Sequence, residues 1–320
     1  VYSGSAFVED DTMYLYYTGN TMEDGDFDFT YEGRGSNTTL VTSKDGITAS
    51  AKKCLLTSAD YPHTLSCHVR DPKVFKENGK YYMVLGGRTR NDVGCVLLYE
   101  AEDKEHFRFK QYITSEKPFG YMWECPDLFR IDGNLFLSIS PQGIAAEEYQ
   151  YQNVYQSGYY RILGDLEDYT LSPFIEWDMG FDFYAPQSFI DESGRRILIG
   201  WMGIGDIEYE NPTVAEGWQH TLTVPRGLTL DASDDISQNP VKELTALRKE
   251  EIIVPSDFFL TEGAFEMLAD ISGNEDFSIM IDKGMQILYD AGTSVLSLSF
   301  LPDRECNPED AKGCGRCIRK

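Results

Sequence analysis

The chain has 320 residues, enough for one large domain or two ordinary ones, and its 42% hydrophobic content is sufficient for a packed core. Its formal net charge of -25 repels phosphate backbones and anionic lipid, which argues against nucleic acid or a membrane surface as a partner. No apolar run approaches the roughly 20 residues of a membrane-spanning helix, and no basic segment followed by an apolar stretch opens the chain.

Long 3.6-period apolar stretches are nearly absent, and short β-branched and aromatic runs separated by turn residues dominate, so the fold class is all-β. The first run, SAFVEDDTMYLYYTG from Ser5, is read as two strands around Asp10-Asp11. DPKVFKENGKYYMVLGG from Asp71 repeats it around Asn78-Gly79, CPDLFRIDGNLFLSIS from Cys125 around Asp132-Gly133, and APQSFIDESGRRILIGWMG from Ala185 around Ser193-Gly194. Aligned on Phe7, Val74, Leu128 and Ser188, the units recur every 54 to 67 residues. Hairpins at such a period are the signature of propeller blades.

Three units begin their first strand with Pro72, Pro126 or Pro186, where no ladder donor is yet needed. The innermost strand of each blade borders a central channel, so residues just ahead of these prolines are expected to converge on one pocket. They are Arg70 and Asp71, Glu124 and Cys125, and Tyr184 and Ala185, with Tyr2, Ser3 and Ser5 in the matching place of the first unit. The chain starts at Val1-Tyr2 inside a patterned segment, and at least one further blade is expected before residue 1.

The propeller is expected over residues 1–235. A connector follows over 236–248, with Asn239-Pro240 read as the N-cap and first position of a short helix running to Arg248. The runs at Phe265–Ile271, Phe277–Ile281 and Val295–Phe300 predict a second β domain over 249–320, read as a truncated β-sandwich. Seven scattered cysteines read as reduced thiols rather than a disulfide framework. Cys314 and Cys317 have C-x-x-C spacing, but without a second pair or a nearby histidine no metal site is expected. Reduced thiols favour a cytoplasmic setting.

In GYMWECPDLF, at Gly120–Phe129, a glutamate stands between Trp123 and Cys125. Apolar neighbours disfavour the ionised form of Glu124, while Arg70 beside Asp71 favours the ionised form there. Two carboxylates among Tyr121, Trp123, Tyr184 and Trp201 suit a sugar, since aromatic faces stack on its C–H surfaces and a protonated carboxyl serves its glycosidic oxygen. Taken one at a time, Trp201 and Trp218 fit core packing and His220 a structural histidine.

The motifs YSGSA (Tyr2–Ala6), RDPKVF (Arg70–Phe75) and WECPDLF (Trp123–Phe129) resemble, in order, three motifs of glycoside hydrolase family 32. FYAPQ, GWM, WQHTLTVPR and QNPVKELTALR continue the resemblance over nearly the whole chain. It implies a five-bladed propeller followed by a β-sandwich, and a retaining displacement on a fructosyl unit without metal or organic cofactor. Matched by motif, Glu124 resembles the general acid/base and Asp71 the transition-state stabiliser, binding fructose hydroxyls with Arg70. Tyr2, Ser3 and Cys125 fall at sugar-binding positions, as do Tyr184 and Trp201.

The family's nucleophile is the aspartate of an NDPNG-type motif, which is absent from this sequence. Asp26 and Asp28 lie in an expected loop and do not match it, and Asp127 is expected on the strand face opposite Glu124. The expected substrate is sucrose or sucrose 6-phosphate, with the chain nearly inactive on its own. A fructan hydrolase, a fructosyltransferase and a non-catalytic carbohydrate-binding propeller are the alternatives. The only partner expected is the small-molecule sugar, and the oligomeric state is open.

Overall fold

Each sequence repeat forms the two inner strands of an antiparallel sheet. In a computed structural model, which describes residues 1–206, 212–253, 264–271, 273–281, 284–300 and 318–319, the first sheet runs β1 (Tyr2–Glu9), β2 (Thr12–Met22), β3 (Arg34–Ser43), β4 (Lys53–Leu56). The second is β5 (Leu65–Glu77), β6 (Lys80–Thr89), β7 (Gly94–Ala101), β8 (Arg108–Ile113). The third is β9 (Met122–Ile131), β10 (Asn134–Gln142), β11 (Gly158–Gly164), β12 (Tyr169–Leu171), with β13 (Ile175–Glu176) also on β11. The fourth has β14 (Phe183–Ile190) and β15 (Arg196–Met202), with β16 (Thr221–Leu222) on β15, and continues to β17 (Arg226–Leu230) and β18 (Ile236–Pro240).

The inner hairpins turn where the sequence places polar pairs. Asp10 and Asp11 have φ of 51° and 54°, Asn78 and Gly79 of 50° and 81°, and Asp132 and Gly133 of 47° and 84°. Two successive positive φ values define the tight turn whose twist matches that of its strands, and Asn, Asp and Gly bear that conformation at least cost.

Consecutive sheets pack face to face through three apolar layers. Tyr16 and Leu40 of the first sheet meet Met83, Leu85 and Leu97 of the second. Val84, Val96 and Leu98, on the second sheet's other face, meet Trp123, Leu128 and Leu137 of the third. Phe129, Phe136 and Tyr159 then meet Phe183, Leu198 and Leu228 of the fourth. Alternation along β6 sends Met83 and Leu85 one way and Val84 the other, as the two-residue period of a strand requires. Each such side chain contributes about 1.5–3 kcal/mol on full burial. Sheets stacked in chain order, inner strands together, have the arrangement of propeller blades.

The region after the fourth hairpin departs from expectation. Residues 236–240 form β18, the outer strand of the fourth sheet, so Asn239 and Pro240 are extended rather than a helix start. Pro240 sits on an edge strand, where a missing donor costs no ladder bond. The helical turn that follows is a 3-10 segment, Lys242–Leu247, whose N-cap is Val241. Phe265–Ile271 forms no strand. β19 (Phe277–Ile281), β20 (Met285–Asp290), β21 (Val295–Phe300) and β22 (Ile318–Arg319) make one antiparallel sheet, and the described residues include no second layer facing it. Cys306, Cys314 and Cys317 lie outside the described residues, while Cys54, Cys67, Cys95 and Cys125 are free thiols. Among the described residues, no helix is long and apolar enough to cross a membrane.

Candidate active site

The inner strands do not run straight to the channel. They run through their prolines instead of beginning there, and each has a register shift around its proline: between Arg70 and Lys73 in β5, opposite Glu124 to Asp127 in β9, and between Tyr184 and Gln187 in β14. At each shift the residue before proline has positive φ, 62° at Asp71, 48° at Cys125 and 48° at Ala185. Proline disfavours helical backbone in the residue before it, and a Cβ disfavours positive φ, so each position stores about 1–3 kcal/mol of strain. The bulge re-aims the preceding side chain at the axis. Gly86, opposite Arg70, permits the close approach, since a Cβ there would lie 2.2 Å from the Trp123 carbonyl oxygen.

Three of the expected residues meet through Glu124. Arg70 donates to Glu124 Oε1 from Nε at 2.7 Å and from Nη2 at 2.6 Å. On the other carboxylate oxygen, Oε2, Glu124 accepts the Tyr184 hydroxyl and, at 3.0 Å, Gln142 Nε2. Asp71 is buried, and its Oδ2 accepts the Cys125 backbone N–H at 2.9 Å, with Cys125 Sγ 3.6 Å away. The Asp71 N–H donates to Thr18 Oγ1 at 2.9 Å, and Thr18 donates in turn to the Ser3 carbonyl at 3.4 Å. Four sheets thus contribute to one cluster.

The electrostatics overturn the expectation for Asp71. Arg70 pairs with Glu124 and not with its chain neighbour Asp71, because successive strand residues face opposite ways. For the same reason Trp123 is no neighbour of the Glu124 carboxylate. It is fully buried between the second and third sheets and donates its Nε1–H to the Phe119 carbonyl. The Asp71 carboxyl is pushed up to about 6 by burial and then by the Glu124 charge, against the opposing pull of Arg70. Burial and the same charge raise the Tyr184 hydroxyl well above its ordinary value, so it stays a donor.

Other candidates fall around this cluster. Trp201 pairs with Tyr184 across β14 and β15, and its ring lies edge-on to His220. Tyr2 is 43% exposed, with its hydroxyl held by Arg34 at 2.7 Å, and Ser3 is present through its backbone. Trp218 is 52% exposed, which overturns core packing for it. Asp127 is turned away from Glu124: it accepts the Ser188 N–H and hydroxyl and lies 3.5 Å from Lys73 Nζ. Asp26 and Asp28 lie in the loop between β2 and β3.

Sequence reading missed Gln142, Thr18 and His68. Gln142 ends β10 in SPQG and has no motif of its own, but it pairs with Met122, which sets it beside Glu124. His68 Nδ1 lies 2.5 Å from Arg70 Nη1. A cavity of about 420 Å³ opens by the Asp132 and Gly194 turns, at the far end of β9 and β14 from Glu124 and Tyr184. No group of three or more His, Cys, Asp or Glu suited to a metal occurs among the described residues.

Residues 1–240 match the glycosyl hydrolases family 32 N-terminal domain. The chain belongs to this family. It is 39% identical over 297 residues to a sucrose-6-phosphate hydrolase of Bacillus subtilis (strain 168), covering 88% of this chain and 60% of the relative. Against a raffinose invertase of Escherichia coli it is 36% identical over 260 residues, covering 78% of this chain and 51% of the relative. The chain therefore spans about half to three-fifths of these curated relatives. A solved family 32 β-fructofuranosidase of Bombyx mori superposes with TM-score 0.74 at 27% identity, over 93% of this chain and 65% of that one. The structure of a sucrose-6-phosphate hydrolase from Lactobacillus gasseri, at TM-score 0.76 and 24% identity over 94% of this chain and 64% of its own, shares the fold. The four described sheets share the propeller-type fold of these structures.

Proposed function

We propose that the protein carrying this chain removes a terminal fructosyl unit from sucrose or sucrose 6-phosphate by a retaining displacement. The observation that carries the reading is the cluster itself: a carboxylate held by Arg70, Tyr184 and Gln142, beside a second, buried carboxyl whose pKa is raised. The relatives described as sucrose-6-phosphate hydrolases support the substrate class. The four sheets of residues 1–240 serve as blades of a five-bladed propeller, the count the family resemblance implies.

In this reading Glu124 is the general acid/base that protonates the glycosidic oxygen and later activates water. Asp71 and Arg70 bind fructose hydroxyls and stabilise positive charge developing on the ring. Tyr2, Ser3, Cys125, Tyr184 and Trp201 shape the sugar pocket. A retaining reaction needs a nucleophilic carboxylate besides the acid. Under these assignments neither carboxyl of the described cluster fills that role, so isolated chain 1–320 is expected to be nearly inactive.

The test is expression from the complete coding sequence, with Glu124→Gln and Asp71→Asn, assayed on sucrose, sucrose 6-phosphate and inulin. Loss of fructose release in both variants is expected. Ordinary turnover in either would defeat its role. Sugar binding without turnover by the wild type would instead support the carbohydrate-binding alternative, and faster release from inulin than from sucrose would support the fructan hydrolase.

A further inference from the structure

Three cationic or basic side chains gather at the mouth of the cluster, outside the groups assigned to the chemistry. The loop before β3 and the start of β3 bracket Cys67: the Cys67 N–H donates to the Thr30 carbonyl at 2.8 Å, and Ser36 Oγ donates to the Cys67 carbonyl at 2.7 Å. Arg34, between those two anchors, is thereby set beside His68. From the second sheet comes Arg88. The β5–β6 register jumps from Val69 with Gly87 to Leu65 with Thr89, so Arg88 stands against the bulged segment that carries His68. Its guanidinium lies 4.7 Å from the Tyr121 ring centroid and 5.9 Å from that of Tyr31. Burial, then the charges of Arg70, Arg34 and Arg88, push His68 down to about 3, with Asp28 opposing.

The partners of these groups leave donors to spare. Arg34 uses Nε on Asn20 Oδ1 and Nη2 on the Tyr2 hydroxyl, and makes no ion pair among the described residues. Among the described residues Arg88 has one carboxylate partner, Asp92, whose side chain is 49% exposed, and such surface pairs are weak. Arg70 can only donate, so His68 Nδ1 accepts and the ring hydrogen of neutral His68 sits on Nε2. Two guanidinium groups thus lie close enough to the His68 imidazole to act on it, and one of them holds Tyr2, a proposed sugar contact.

In a chain of net charge -25, a doubly charged ligand needs a local cationic site to approach at all. A neutral sugar needs none. Planar guanidinium donors suit phosphate oxygens in particular.

We propose that Arg34, His68 and Arg88 form a subsite for a phosphate monoester carried by the sugar substrate, on the part that leaves when fructose is released. This rests on the fructosidase reading above and makes the phosphorylated disaccharide the preferred substrate.

The test uses the protein from its complete coding sequence. It compares kcat/KM for sucrose 6-phosphate and for sucrose in the wild type, Arg34→Gln, Arg88→Gln and Arg34→Lys. The ratio of the two constants is expected to fall by roughly tenfold or more in each glutamine variant, the loss of a charge-assisted hydrogen bond, and less in Arg34→Lys. Inorganic phosphate should inhibit sucrose hydrolysis competitively in the wild type and much less in the glutamine variants. A ratio unchanged within about twofold would overturn the subsite, even where phosphate inhibits, because equal losses on both substrates are what a purely structural role of Arg34 through Tyr2 gives. Should the wild type cleave neither sugar, the fructosidase reading fails by itself. Phosphate binding by calorimetry then decides the anion site: loss in Arg34→Gln supports it, and no binding by the wild type overturns it.

Discussion

The channel ends of the inner strands and the faces between the sheets follow opposite rules. Between the second and third sheets Val84, Leu98, Trp123 and Leu137 are fully buried and apolar. At the channel end of the inner strands lie positive φ values at Asp71, Cys125 and Ala185, a buried carboxyl and a largely buried ion pair. The first region stabilises the fold and tolerates little change in volume. The second costs stability, and the layers between the sheets offset that cost. Substitutions at the two ends should therefore separate activity from stability.

The largest effect is expected at Glu124. Under the proposed acid/base role, Glu124→Gln keeps the size and one acceptor but removes the proton to be transferred, and fructose release by the complete protein should fall about 10²–10⁴-fold with unfolding nearly unchanged. Next is Leu98→Ala between the second and third sheets. It should cost about 2–5 kcal/mol in denaturant unfolding while leaving kcat of the folded fraction close to wild type. A large drop in kcat would show that the two regions are not separable.

Asp71→Asn should do the reverse, abolishing activity while raising stability. With the folded pKa near 6 and the ordinary value at 3.8, the folded state binds more protons between those two values. Stability then falls as pH rises through that window, and the full penalty persists above pH 6. Asparagine removes it, so unfolding at pH 7 should require up to about 3 kcal/mol more, and the gain should vanish below about pH 4. Equal stability at both pH values would sink the argument. The smallest effect is expected at Ala185, where glycine relieves a positive φ of 48°: Ala185→Gly should add about 0.5–1 kcal/mol, read as a small rise in melting temperature.

Much of the fold was legible because strands and turns are local. Alternation in YYMVL and LFLSI, and the Asn78-Gly79 and Asp132-Gly133 turns, fix the hairpins with no knowledge of what packs on them. The connector was misread because Asn239-Pro240 suits a helix start and a strand edge equally, and the pairing of β18 with β17 decides between them. Phe265–Ile271 has a strand's composition but no partner strand among the described residues, and composition alone forms no ladder.

For the site, the sequence by itself determined which residues precede the three prolines, and hence that Arg70, Glu124 and Tyr184 would meet. Only the tertiary structure decided how charge is shared among them. Arg70 sits next to Asp71 in the chain yet pairs with Glu124 one sheet away, and Trp123 sits next to Glu124 yet packs into the opposite interface. Strand neighbours point apart, and bulges at Asp71 and Cys125 reset which face each side chain takes. The environment of a carboxylate is therefore set by the neighbouring sheets and not by the residues beside it in the sequence.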